Sequence, residues 1–201
     1  MELELKNKNV LVTGSNRGTG QVIAESFVRE GARVFFHRPE TFTRTNSTKG
    51  NLIWGDITTD DGADQVFQQV REQVSHLDIL VNNAGWTTRV DHADHAALTN
   101  EILFKTIEVN VYGTWWMCKA AMPHLKKTEG CIVNVTSIAG LRPMGSSLAY
   151  GMAKAALNAL TEDLAKFHGP VRCNAVAPGL VATPWTSESV SYTHLTLPTK
   201  A

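Results

Sequence analysis

Short apolar runs alternate with longer amphipathic stretches along most of the chain. Val- and Ile-rich runs at 9–13, 33–36, 51–54, 79–81, 131–135 and 171–176 read as short buried strands. Between them, the stretches 20–30, 63–75, 101–125 and 148–167 repeat apolar positions every three or four residues, the period of a helix with one buried face. Strands apolar on both sides, alternating with helices, imply an α/β fold with a parallel sheet covered by helices on each side. Ligands in such folds sit at the carboxyl ends of the strands, so the loops that follow strands are expected to carry the chemistry. The stretch 37–50 is rich in Thr, Asn and Ser and has little helical periodicity, so a short or broken helix is expected there.

Composition narrows the function classes. The 201 residues are 43% hydrophobic and 19% charged, which fits one soluble globular domain. Equal numbers of basic and acidic side chains, 19 of each, give no net field to attract nucleic acid or an anionic membrane. No apolar run has the length of a membrane span, and residues 1–8 are charged and alternating rather than signal-like, so a cytoplasmic location is expected. Cys118, Cys131 and Cys173 are dispersed without a CxxC pair and read as small core residues. Asp91, His92, Asp94 and His95 form a solvated loop or helix start on this reading, and no metal is expected. Trp115 and Trp116 read as helix packing residues rather than a platform for bases.

The first strand runs into Thr13-Gly14-Ser15-Asn16-Arg17-Gly18-Thr19-Gly20 and then a helix. A diphosphate needs a tight turn, close backbone approach and a helix N-terminus with N–H groups to offer. Gly14, Gly18 and Gly20, with Asn16 and Arg17 between them, suit that task, although glycines alone also mark plain turns. The second strand ends in His37-Arg38 with no acid before Glu40. An arginine there can grip a 2′-phosphate with help from Arg17, so NADP is preferred over NAD; either guanidinium could instead be solvated. Asp56, after the third strand, suits a hydrogen bond from an adenine amino group and equally the cap of the next helix. Asn82-Asn83-Ala84-Gly85 ends the fourth strand, its small residues admitting a cofactor and its amides tying strands together.

Ser137, Tyr150 and Lys154 form the catalytic candidate. Tyr150 and Lys154 are four apart in a helix and so share a face. A free phenol titrates near ~10, and an adjacent ammonium and an oxidised nicotinamide are expected to lower that value. Ser137 can hydrogen-bond the substrate oxygen. The segment around Ser137 lacks the GxSxG elbow of a hydrolase.

TGxxxGxG from Thr13, NNAG from Asn82, Asn110 in Val-Asn-Val-Tyr-Gly, Ser137 thirteen residues before the YxxxK at Tyr150, and Pro178-Gly179 together resemble the short-chain dehydrogenase/reductase family over residues 6–186. The resemblance implies a three-layer Rossmann-type doubly wound sheet and hydride transfer between a nicotinamide cofactor and a carbonyl or alcohol substrate. It implies Tyr150 as general acid/base, Asn110 as holder of a water relaying protons to Lys154, and Tyr150 and Lys154 beside the nicotinamide ribose. Gly14, Asn16, Arg17, Gly18, Gly20, Arg38, Asp56, Asn83, Ala84, Gly85, Pro178, Gly179 and Thr183 complete the expected cofactor site. Homodimers or homotetramers packed through the helices holding Asn110 and Tyr150 are also implied. The substrate pocket is expected at 86–95, 142–147 and beyond Thr183, with Trp86, Met144 and Trp185 hinting at an apolar lining.

The pattern departs from the family after Thr183. Residues 190–201 show neither an apolar strand nor an amphipathic helix and resemble translated sequencing-adapter read-through. The expectation is one domain over 1–189, lacking the last strand, followed by a non-native tail over 190–201. A non-catalytic dinucleotide-binding protein or an inactive truncated fragment is the alternative to an active enzyme.

Overall fold

The computed structural model describes residues 3–39 and 51–181. Six strands, β1 (Asn9–Val12), β2 (Arg33–Arg38), β3 (Asn51–Trp54), β4 (Ile79–Asn82), β5 (Cys131–Val135) and β6 (Arg172–Val176), fall on the six apolar runs. They form one sheet in the order β3-β2-β1-β4-β5-β6, with all neighbours parallel.

Successive strand residues point to opposite faces, and here they enter two different cores. Leu11, Phe35, Ile53, Leu80 and Ile132 pack with Val66, Phe67, Met117, Ala121 and Leu164. Those partners belong to α2 (Asp60–Arg71), α4 (Gly113–Leu125) and α5 (Leu148–Phe167). Val10, Val12, Val34, Phe36, Ile79 and Val81 pack on the other face with Ala24 of α1 (Gly18–Arg29). This is a three-layer, doubly wound Rossmann-type arrangement. The sheet grows from β1 to β3 in one direction and then restarts at β4 in the other, opening a crevice at the carboxyl ends of β1 and β4.

The long helix expected over 101–125 is not continuous. It comprises α3 (Asn100–Ile107), one π-helical turn (Glu108–Tyr112) and α4. The Asn110 side chain replaces part of the backbone ladder, its Nδ2 donating to Thr106 O at 2.8 Å. Thr106 and Thr114 bond back to the carbonyls of Ile102 and Asn110, at 2.6 and 2.8 Å. Side chains inserted into a helical ladder widen it locally, and such turns concentrate at functional sites. Helix α2 starts earlier than its apolar pattern, because Thr59 caps it by accepting from Gly62 N at 3.1 Å and Asp60 and Asp61 favour the positive helix end.

Among the described residues no helix is long and apolar enough to cross a membrane. The stretch 40–50, Thr183, Trp185 and the tail over 190–201 lie outside the described residues.

Candidate active site

The glycine-rich loop leaves β1 and enters α1 with Gly14 at φ +61° and Gly18 at φ +57°, a region costly for any residue with a Cβ. A Cβ on Gly14 would stand 2.8 Å from Ala84 Cα, and one on Gly20 would collide with Asn83 Nδ2 and the Gly14 carbonyl. Asn83 Nδ2 donates to the carbonyls of Thr13 and Gly14, both at 3.1 Å. Thr13 Oγ1 accepts from the N–H groups of Asn83 and Ala84, both at 3.0 Å. The loops after β1 and β4 therefore form one rigid unit. Arg17 at the N-cap of α1 makes no side-chain cap, and the first turn holds no acid, so the positive end of the helix is directed to whatever fills the crevice.

The amides of the NNAG segment tie strands together as the sequence suggested. Asn82 Nδ2 donates to Asn134 Oδ1 at 2.9 Å, and Asn134 Nδ2 donates to Thr161 Oγ1 at 2.9 Å, linking β4, β5 and α5 in the buried interior.

Helix α5 presents Tyr150 and Lys154 on one face, with the Lys154 ammonium 5.6 Å from the phenol ring centre. Ser147 starts the helix, its Oγ accepting from Tyr150 N at 3.2 Å. Ser137, just past β5, accepts from Ala139 N at 3.1 Å and hydrogen-bonds the Tyr150 phenol. Lys154 Nζ donates to Val135 O at 2.9 Å. Asn110 Nδ2 donates to Trp86 O at 2.6 Å, while its buried Oδ1 has no hydrogen-bond partner among the described residues. That oxygen and Lys154 Nζ lie 2.8 and 3.8 Å from the position a Cβ on Gly85 would take.

Burial governs the protonation of the pair. Tyr150 is 9% exposed and Lys154 is 4% exposed. Desolvation pushes the phenol up to about 12, with the Ser137 hydrogen bond acting in the opposite direction. Desolvation likewise pulls Lys154 down to about 8. The expectation of a lowered phenol pKa is thus corrected: loss of water on burial outweighs the Ser137 hydrogen bond.

These groups line one cavity of about 600 Å³, a size typical of small-molecule sites. Gly14, Asn16, Arg17, Gly18, Gly20 and Asp56 line it beside α1 and β3. Asn83, Ala84, Gly85, Asn110, Ser137, Tyr150, Lys154, Pro178 and Gly179 line the remainder. Arg38 is not on the wall; it is 5% exposed, whereas His37 and Pro39 on either side do line the cavity. Strand β2 continues through Arg38, so alternation turns its side chain to the face opposite His37. Asp56 is not the helix cap, which is Thr59; its Oδ1 accepts from Thr58 N at 2.9 Å. Further lining residues that the motifs did not single out are Thr19, His37, Gly55, Ile57, Thr58, Lys105, Val109, Val135 and Thr136. Most sit at strand ends, the one signal that pointed to them. Lys105 lies on α3 with its ammonium 4.9 Å above the Trp86 ring.

A family model described as short chain dehydrogenase matches residues 8–193. The chain belongs to the short-chain dehydrogenase/reductase family. It is an oxidoreductase of that family. Among relatives, it is similar to a protein named as ketoacyl reductase 2 of the granaticin polyketide synthase of Streptomyces violaceoruber, 42% identical over 89% of this chain and 75% of the other. It is also similar to L-fucose dehydrogenase of Mus musculus, 34% identical over 92% of this chain and 70% of that protein. A solved structure, the Pseudomonas aeruginosa RhlG/NADP active-site complex, superposes with a TM-score of 0.79 at 30% identity, covering 91% of this chain and 76% of the other.

Proposed function

We propose that the chain is an NADP-preferring carbonyl reductase or alcohol dehydrogenase in which Tyr150 is the general acid/base. The observation that carries this reading is the Tyr150 phenol, hydrogen-bonded by Ser137, on the wall of the same cavity that the glycine-rich loop lines. The walls fit a dinucleotide: a cradle that a Cβ at Gly14 or Gly20 would fill, a helix N-terminus without a side-chain cap, and the partnerless Asn110 oxygen beside Lys154. Bound there, the nicotinamide supplies or accepts the hydride.

The protein's own groups handle the proton. In the reducing direction the neutral phenol gives its proton to the substrate oxygen as negative charge develops there. Ser137, whose Oγ accepts from Ala139 N, turns its one hydroxyl proton from the Tyr150 phenol to the same oxygen when substrate is bound. The Lys154 ammonium stabilises the phenolate that remains. Asn110 Oδ1 beside Lys154 Nζ is an acceptor suited to anchor a water through which the phenolate regains a proton.

Preference for NADP rests on charge. Arg17 lines the cavity beside α1, and the described end of β2 offers no acid to repel a 2′-phosphate. Exposed Phe104, Tyr112, Trp115, Leu148 and Met152 along α3 to α5 support a homo-oligomer packed through these helices.

Titrating the purified chain with NADPH and NADH separately, then offering a panel of ketones and aldehydes while following nicotinamide absorbance, tests the reading. Tighter NADPH binding and turnover of at least one carbonyl are expected. Tighter NADH binding would overturn the cofactor preference, and binding without turnover of any substrate would favour a non-catalytic dinucleotide-binding protein.

A further inference from the structure

His37 joins three backbone segments that border the cavity. It is the fifth residue of β2 and is 2% exposed. Its N–H donates to Ser15 Oγ and its carbonyl accepts from Ser15 N, both at 2.9 Å. The ring continues the linkage on both sides: Gly14 N donates to Nδ1 at 3.2 Å, and Nε2 stands 3.1 Å from Gly55 O.

These contacts admit one protonation state. A backbone N–H needs an acceptor and a carbonyl needs a donor, so Nδ1 carries the lone pair and Nε2 the proton. In the imidazolium both nitrogens donate, and an Nδ1 proton would face the Gly14 N–H. Burial agrees with the geometry, pulling His37 down to about 4.

The consequence falls on the phosphate end of the cavity. Gly14 has the freedom of a residue without Cβ, so its conformation must be set from outside. Its N–H is held toward β2 by His37, and its carbonyl is held toward β4 by Asn83 at 3.1 Å. Gly55, at φ +156°, opens the segment Asp56-Ile57-Thr58 that forms a further part of the wall. One neutral imidazole therefore ties the glycine-rich loop to the loop after β3.

We infer that His37 is a positioning residue for the bound dinucleotide: its Nδ1 fixes the Gly14 peptide in the orientation that shapes the phosphate-binding loop, and its Nε2 proton keeps that loop in register with the wall at Gly55. The inference rests on the dinucleotide reading of the cavity. His37 touches no reacting atom on this account, so it governs cofactor affinity rather than the rate at saturation.

Two substitutions separate the halves of the ring. His37→Asn keeps an acceptor near the Nδ1 position but does not reach Gly55, whereas His37→Gln reaches toward Gly55 and removes the acceptor facing Gly14. Calorimetric titration with NADPH is expected to show binding weakened about tenfold in His37→Gln and far less in His37→Asn, the size of one lost hydrogen bond. Turnover at saturating NADPH is expected to stay near wild type in both. Nitrogen NMR of the wild-type imidazole, which needs no variant to fold, is expected to show a bare Nδ1 and a protonated Nε2 at neutral pH. A protonated Nδ1, or equal NADPH affinity in the two variants, would overturn the inference while leaving the dinucleotide reading standing. A wild-type chain that binds neither NADPH nor NADH would overturn the dinucleotide reading and the inference with it.

Discussion

Ser147 Oγ accepts a hydrogen bond from Tyr150 N at 3.2 Å, so the residue that starts α5 also fixes the point from which the phenol reaches the cavity. Ser147 is fully buried, and removing its hydroxyl leaves the Tyr150 N–H without an acceptor. Ser147→Ala is expected to cost about 1 kcal/mol of stability, read from a denaturant titration. It is also expected to lower kcat more than it weakens cofactor binding, because the phenol shifts while the glycine-rich loop does not.

Two glycines on the cavity wall, Gly20 and Gly85, should respond differently. A Cβ on Gly20 meets the Gly14 carbonyl and the Asn83 amide that holds the loop. Gly20→Ala is therefore expected to abolish NADPH binding in a calorimetric titration. On Gly85 the obstacle is one side-chain oxygen, Asn110 Oδ1 at 2.8 Å. Gly85→Ala is expected to displace Asn110 and depress kcat with a smaller loss of affinity.

Acid should weaken the fold through His37. Its folded pKa of about 4 lies below the ordinary 6.5, with desolvation dominant and the Gly55 carbonyl hydrogen bond, then the Asp56 carboxylate, opposing it. Between those values the unfolded chain binds a proton that the folded chain does not, so stability rises with pH across this window. The contribution is complete above the unfolded value, is lost as pH falls toward the folded one, and amounts to about 3 kcal/mol. Comparing the pH dependence of unfolding in wild type and His37→Asn isolates it. A steeper acid loss in wild type is expected, and parallel curves would contradict this origin.

The buried amide chain Asn82–Asn134–Thr161 should be sensitive to losing its centre. Asn134 is fully buried, accepting from Asn82 and donating to Thr161. Asn134→Ala removes both hydrogen bonds from the buried interior and is expected to cost about 1–3 kcal/mol, measured by denaturant unfolding.

Period and apolarity located every described strand and the ends of α5, because a buried parallel strand and a one-faced helix leave unmistakable patterns. The break within 101–125 was not legible, since a single π-helical turn adds one residue without removing the apolar stripe, and its cause is the Asn110 amide bonding Thr106 O. At the site, the motifs' Tyr150, Lys154, Ser137 and Asn110 line one cavity because helix pitch and strand ends determine their places. Arg38 and His37 show the opposite case. Which of two adjacent residues faces the crevice depends on how far β2 continues, and it runs two residues past its apolar core. The phenol pKa was misjudged for a related reason: spacing shows the ammonium but not the depth of burial.

Substitution of Tyr150 by Phe, assayed by NADPH oxidation with a carbonyl substrate that the wild type reduces, tests the central claim most directly. Loss of turnover by about a hundredfold or more is expected, the scale of a missing general acid, with NADPH binding retained. Turnover equal to wild type would contradict the assignment of Tyr150.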